Sequence, residues 1–178
     1  AGPFPSAGAE AGRAEMKARR ILLASHGTPG ARAAESAAFG ICEPGGRIRH
    51  LVVVPDFWKG MLGDDWLNNA AVHIRFGRYV EGQLEREIVA HAETVAAEAK
   101  RRGLGYDCEL QFGKPADCLV AAARKGEFDL VVIGSPRPKG APGLRSRMDP
   151  ETLAKGLTVP LLTVPHPGRD GGRRKIME

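Results

Sequence analysis

Residues 127–143, EFDLVVIGSPRPKGAPG, join an unbroken apolar run to a loop rich in glycine, proline and basic side chains. Leu130 to Ile133 shows no polar alternation, the pattern of a strand covered on both faces of a parallel sheet. Gly134 opens the loop behind it, where the backbone can turn or come close to a ligand. An earlier run, Arg20 to Ala24, ends comparably at Ser25-His26-Gly27-Thr28. Two covered strands that both finish in glycine loops predict a crevice at the carboxyl edge of an open α/β sheet, where such folds usually hold their ligand.

Outward from these strands the elements alternate. Pro29 sets up an Ala-rich helix over Ala31 to Cys42, which Pro44-Gly45-Gly46 is expected to end. Arg49 to Val54 reads as the next covered strand, stopped by Pro55. A long amphipathic helix follows from about Tyr79 to Arg102, with Val80, Leu84, Ile88, Ala92, Val95 and Ala99 on one stripe and Gly103 as its left-handed cap. His91 lies on or beside that stripe and is expected to pack there. Asp107 to Phe112 is a third strand, and Gly113 to Asp117 leads into a short helix over Cys118 to Lys125. Asp149 and Pro150 start the last helix as N-cap and first residue, and Val159 to Val164, flanked by Pro160 and Pro165, reads as an edge strand.

A chain of 178 residues fits one domain. Residues 1–18 read as a flexible arm or a non-native remnant, 19–166 as the folded domain and 167–178 as a flexible basic tail. The net charge is +5, but residues 1–20 and 166–178 together supply four of those charges, which leaves a nearly neutral body and argues against a nucleic-acid surface. No apolar run approaches the roughly 20 residues of a membrane span. Cys42, Cys108 and Cys118 show neither CxxC nor Cys/His metal spacing, so packed thiols in a reducing cytoplasm are expected. Residues 56–78 are longer than a normal connection and carry Phe57, Trp58, Met61, Trp66 and Leu67. They read as a local mini-core, with a lid or a contact surface through Trp58, Met61 and Trp66 as the alternatives. Asp64, Asp65 and His73 are metal-capable, but nothing in their spacing demands an ion, and no metal site is expected.

Three segments together resemble the universal stress protein family. ILLASHGTPGARAA is similar to its first strand, glycine turn and helix, GKPADCLVAAARKGEFDLVVIGS to its Gly-x-Pro-Ala helix and following strand, and LTVPLLTVP to its last strand. The resemblance covers about Arg20 to Pro165. It implies a five-stranded parallel sheet of order 3-2-1-4-5 with helices on both faces, a cytoplasmic stress-response role, and frequently a homodimer paired along strand 5, here Val159, Leu161, Leu162, Thr163 and Val164.

For the nucleotide-binding members of that family, the resemblance places ATP, ADP or AMP, with Mg, between strands 1 and 4. The candidate contacts are His26, Val53, Ile133, Gly134, Ser135, Arg137, Lys139, Gly140, Gly143, Arg145 and Arg147. The pattern departs from the family's at three points: His26 stands where the family has Asp, Arg137 where it has the second glycine, and Arg147-Met148-Asp149-Pro150-Glu151 where it has Gly-Ser/Thr. Asp149 is expected to cap the amides that would otherwise hold phosphate, and Pro150 has no N–H to give. The leading reading is therefore a sensor or adaptor with a diverged crevice. A nucleotide binder using the Arg/Lys loop is the first alternative, and a protein-interaction module acting through residues 56–78 the second. His26 is either a ligand contact or base, or a hydrogen-bonded structural residue. No Walker loop, Gly-x-Ser-x-Gly elbow, Ser-Gly-Gly-x-Asp-Ser loop or His-x-Gly-His motif is present, so at most weak ATP hydrolysis is expected.

Overall fold

The computed structural model describes residues 15–25, 29–55, 89–136, 138–139 and 148–167. Five strands alternate with helices: β1 (Ala18–Ala24), α1 (Pro29–Ile41), β2 (Cys42–Pro55), α2 (89–101), β3 (Gly105–Gly113), α3 (Pro115–Lys125), β4 (Leu130–Gly134), α4 (Pro150–Gly156) and β5 (Leu161–Val164). All pairings are parallel, and the order is β3-β2-β1-β4-β5, as the sequence resemblance implies.

The unbroken apolar runs are explained by two buried faces. Ile21 and Leu23 of β1, Ile48 of β2, and Leu130 and Val132 of β4 pack against Ala34, Ala38 and Phe39 of α1 and Val95 and Ala99 of α2. On the other face Leu22, Leu51, Val131 and Ile133 meet Leu119, Val120 and Ala123 of α3 and Leu153 of α4. Small alanines let α1 and α3 lie close to the sheet. β5 alternates as an edge strand should, with Leu162 and Val164 against the α1/α2 face and Leu161 and Thr163 exposed.

The caps follow the sequence. Gly103 takes φ +68, and behind it the Leu104 amide donates to Ala99 O and the Gly103 amide to Lys100 O, a complete Schellman closure of α2. Asp149 accepts from the Glu151 and Thr152 amides, with Pro150 in the first turn.

Several boundaries differ from the sequence reading. α1 begins at Pro29, and β2 begins directly behind it at Cys42 instead of Arg49. Pro44-Gly45-Gly46 is therefore not a loop after a helix but an irregularity inside β2, where the partner of Ala18 is Cys42 and that of Arg20 is Arg47. Gly45 takes φ +76, and a Cβ at Gly46 would lie 2.8 Å from Arg19 O, so the bulge requires both glycines. α3 starts at Pro115 instead of Cys118, because a first-turn proline needs no amide donor. β5 starts at Leu161 instead of Val159; Pro160 cannot donate, and only its carbonyl reaches the sheet, accepting from the Val131 amide. Cys42 is buried, but Cys108 is exposed on edge strand β3, contrary to the expectation of a packed thiol.

Asp129 fixes the start of the central pair. Its carboxylate accepts from the Arg20 amide at 2.9 Å, the Arg19 amide at 3.1 Å and the Arg20 guanidinium at 3.3 Å, while its own amide donates to Arg20 O. The Arg20 amide, then the Arg19 amide and the Arg20 side chain, outweigh desolvation and hold the Asp129 carboxyl below the ordinary aspartate value. A carboxyl depressed in the fold contributes stability above its unfolded pKa and loses it as pH falls. Asp129→Asn is expected to lower stability at pH 7, with the gap to the parent closing as pH drops toward 3, roughly below the unfolded aspartate pKa. Urea denaturation at the two pH values checks this; a gap that does not change with pH would refute the assignment.

Candidate functional site

The reversal of strand order lies between β1 and β4, where Ala24 pairs with Ile133, the position at which open α/β sheets usually place a ligand crevice. Of the sequence-predicted contacts, Ile133 is buried and Val53 half-buried, both on the α3/α4 face, while Lys139 is exposed behind β4. Gly134 and Ser135 are committed elsewhere. A Cβ on Gly134 would lie 2.5 Å from Gly30 O and 3.1 Å from the Ala31 amide, so this glycine admits the first turn of α1 and not a ligand. The Ser135 amide donates to Val164 O, and its hydroxyl accepts from the His166 amide at 2.7 Å, which ties β4 to the end of β5. His26, Arg137, Gly140, Gly143, Arg145 and Arg147, together with Trp58, Met61, Trp66, Asp64, Asp65 and His73, lie outside the described residues.

At the N-terminus of α4, the Asp149 carboxylate occupies the amides of Glu151 at 3.4 Å and Thr152 at 3.1 Å, and also accepts from the Thr152 hydroxyl. The Thr152 hydroxyl, ahead of the amides, keeps the Asp149 carboxyl below its ordinary value. It therefore stays ionised at the N-terminus of α4.

A second site adjoins the tip of β1 on the α1/α2 face. Ser25, Glu35 and His50 are the buried polar or charged side chains among the described residues, with exposures of 2%, 9% and 0%, and they form one cluster with His91 and Tyr106. Each comes from a different element or its end: Ser25 follows β1, Glu35 is on α1, His50 on β2, His91 on α2 and Tyr106 on β3. The proton positions follow from the partners. Ser25 O can only accept, and it lies 3.2 Å from His50 Nε2, so that nitrogen carries the proton; Nδ1 then accepts from the Tyr106 hydroxyl at 2.8 Å. The Ser25 hydroxyl sits 2.9 Å from His50 Nε2 and donates to Glu35 Oε1, which also accepts from His91 Nε2 at 2.7 Å.

Burial favours the neutral form of each group, and the hydrogen bonds decide which one stays charged. Desolvation pushes Glu35 up, but the hydrogen bonds from His91 and Ser25 prevail and hold its carboxyl below the ordinary range. Desolvation lowers His50, and it raises Tyr106 well above an ordinary phenol. The cluster is thus a buried carboxylate fed by a chain of donors that runs from Tyr106 through His50 and Ser25. Glu35, His50 and His91 also present ligand-type atoms within 4.8 Å of one another.

From the sequence, Ser25 is expected only as the end of a strand, and no role is expected of Glu35, His50 or Tyr106. A signal was present: Glu35 falls at helical spacing among Ala31, Ala34 and Ala38, and His50 directly precedes the apolar run Leu51 to Val54. His91 packs as expected, but through polar contacts and not through the apolar stripe.

No protein-family model and no curated protein matches this chain. Solved structures do. The hypothetical protein MJ0577, the subject of a structure-based functional assignment, is 16% identical with a TM-score of 0.64, over 85% of this chain and 96% of its own. A universal stress protein family member from Burkholderia pseudomallei is 20% identical with a TM-score of 0.57, over 83% and 96%. A universal stress protein family protein from Arabidopsis thaliana, At3g01520, solved with AMP bound, is 13% identical with a TM-score of 0.56, over 87% and 96%. The chain therefore has the universal stress protein fold, an open α/β architecture shared with these proteins. No helix among the described residues is long and apolar enough to cross a membrane.

Two substitutions examine the sites. Gly134→Ala is expected to cost about 2 kcal/mol by pushing α1 off the sheet, measured by urea denaturation. Tyr106→Phe removes the donor to His50 Nδ1 and is expected to cost about 1 kcal/mol with the fold retained; unchanged stability would show that the hydroxyl takes no part.

Proposed function

We propose that this chain is a cytoplasmic stress-response sensor or adaptor of the universal stress protein type, whose crevice between β1 and β4 has diverged away from strong ATP binding. The observation that carries the reading is the Asp149 cap. An ionised carboxylate already holds the Glu151 and Thr152 amides, and Pro150 offers none. A triphosphate would have to displace a covalently tethered anion and then lie beside it and Glu151. The engagement of Gly134 by α1 and of Ser135 by His166 adds to this.

Retention of an adenine nucleotide is the second reading, favoured by the AMP-bound Arabidopsis protein of the same fold. A monophosphate makes fewer demands on α4, and the loop basic residues, with or without Mg, would hold it by charge. In either reading β5 offers its outer edge to a second copy of the chain, with Leu161 38% exposed beside Thr163. A protein-interaction module acting through residues 56–78 is the third reading.

Melting curves with millimolar Mg-ATP, ADP and AMP test the proposal. No shift with ATP is expected from the parent chain, and Asp149→Gly is expected to gain a shift by freeing the amides. A ligand at about 100 times its dissociation constant raises the melting temperature by several degrees for a domain of this size. A shift with ATP as large as with AMP in the parent would overturn the reading, whereas a shift with AMP alone would favour the second one.

A further inference from the structure

We propose that Glu35, His50 and His91 form a binding site for a divalent first-row transition metal of the zinc class, with the Ser25 hydroxyl beside the fourth position. Two imidazole nitrogens and one carboxylate are a donor set that zinc and its neighbours accept, and one that magnesium, which prefers all-oxygen ligation, does not. The three ligand atoms lie within 4.8 Å of one another, and Glu35 Oε1 is 2.7 Å from His91 Nε2. Ligand atoms around a tetrahedral zinc ion sit roughly 3.3 Å apart, so side-chain adjustments of under about an ångström would admit the ion. With neutral imidazoles the set carries one negative charge, which lowers the cost of desolvating a dication.

The surroundings favour ligation as well. His50 Nδ1 faces the Tyr106 hydroxyl at 2.8 Å, an outer partner of the type that orients a metal-bound imidazole through its second nitrogen. On metal binding the His50 proton moves from Nε2 to Nδ1, and the Tyr106 oxygen turns from donor to acceptor without any change of position. The Ser25 hydroxyl lies 2.9 Å from His50 Nε2 and 3.5 Å from His91 Nε2, between the two imidazoles, where it can ligate or orient a bound water. The ligands belong to α1, β2 and α2, so one ion would clamp three elements around the tip of β1. The carboxylate that this site uses is otherwise a buried charge held only by hydrogen bonds.

The full chain, stripped with a chelator, is titrated with Zn2+ by calorimetry and with Co2+ by visible absorption. One equivalent of Zn2+ should bind, raise the melting temperature by several degrees and give Co2+ bands of a low-symmetry nitrogen/oxygen site, while Mg2+ at equal concentration does neither. Glu35→Gln and His91→Ala, the first nearly isosteric and the second at a half-buried position, should each weaken Zn2+ by about 100-fold or more with circular dichroism unchanged. Tyr106→Phe should weaken it by about 10-fold. Absence of stoichiometric Zn2+ binding, an equal response to Mg2+, or affinity unchanged in the folded Glu35→Gln and His91→Ala chains would each overturn the proposal.

Discussion

The Ser25 hydroxyl donates into a carboxylate that the fold has taken out of water, and the arrangement of the α1/α2 face depends on that bond and its neighbours. A buried carboxylate is tolerated only when its oxygens are satisfied. Satisfying Glu35 requires α1, β2, α2 and the end of β1 to meet in one register, because the donors come from Ser25 and His91 and the supporting group from His50. Around it the packing is alanine, leucine, isoleucine and valine, which would accept many sliding arrangements. The polar cluster removes that freedom at one end of the layer, as Asp129 does at the other end of β1, where it binds the Arg19 and Arg20 amides.

Between these two anchors β1 lies at the centre of the sheet with β2 and β4 on either side, so its carboxyl end is the point where the crossovers diverge. Crevices at such points bind ligands because backbone groups and helix N-termini converge there. Among the described residues, three such groups are already in use. The amides of α4 hold Asp149, the Ser135 hydroxyl holds the His166 amide, and Gly134 makes room for α1.

Much of the fold was legible because covered parallel strands, proline-led helices and glycine caps leave local signatures. Leu130 to Ile133, Gly103 and the Asp149-Pro150 pair each behave as the sequence predicts. The Pro44-Gly45-Gly46 run was misleading because a bulge and a helix stop use the same residues, and only the pairing of Arg20 with Arg47 separates them. The buried cluster was harder to see, since its five members are scattered from Ser25 to Tyr106 and no motif links them. Gly134 was legible as a close approach, but the partner was the backbone of α1. Sequence spacing shows that room is needed, and the structure shows for what.

The protonation of His50 is the most direct measure of whether the cluster is built as described. Long-range proton–nitrogen correlation spectra of chelator-treated protein, labelled in histidine nitrogen, report the charge and tautomer of each imidazole across pH 5 to 8. His50 is expected to remain neutral below the ordinary histidine pKa, because burial outweighs the opposing hydrogen bond to the Ser25 carbonyl, and that carbonyl places its proton on Nε2. A His50 that titrates at about 6.5, or that carries its neutral-form proton on Nδ1 in the metal-free chain, would contradict the network.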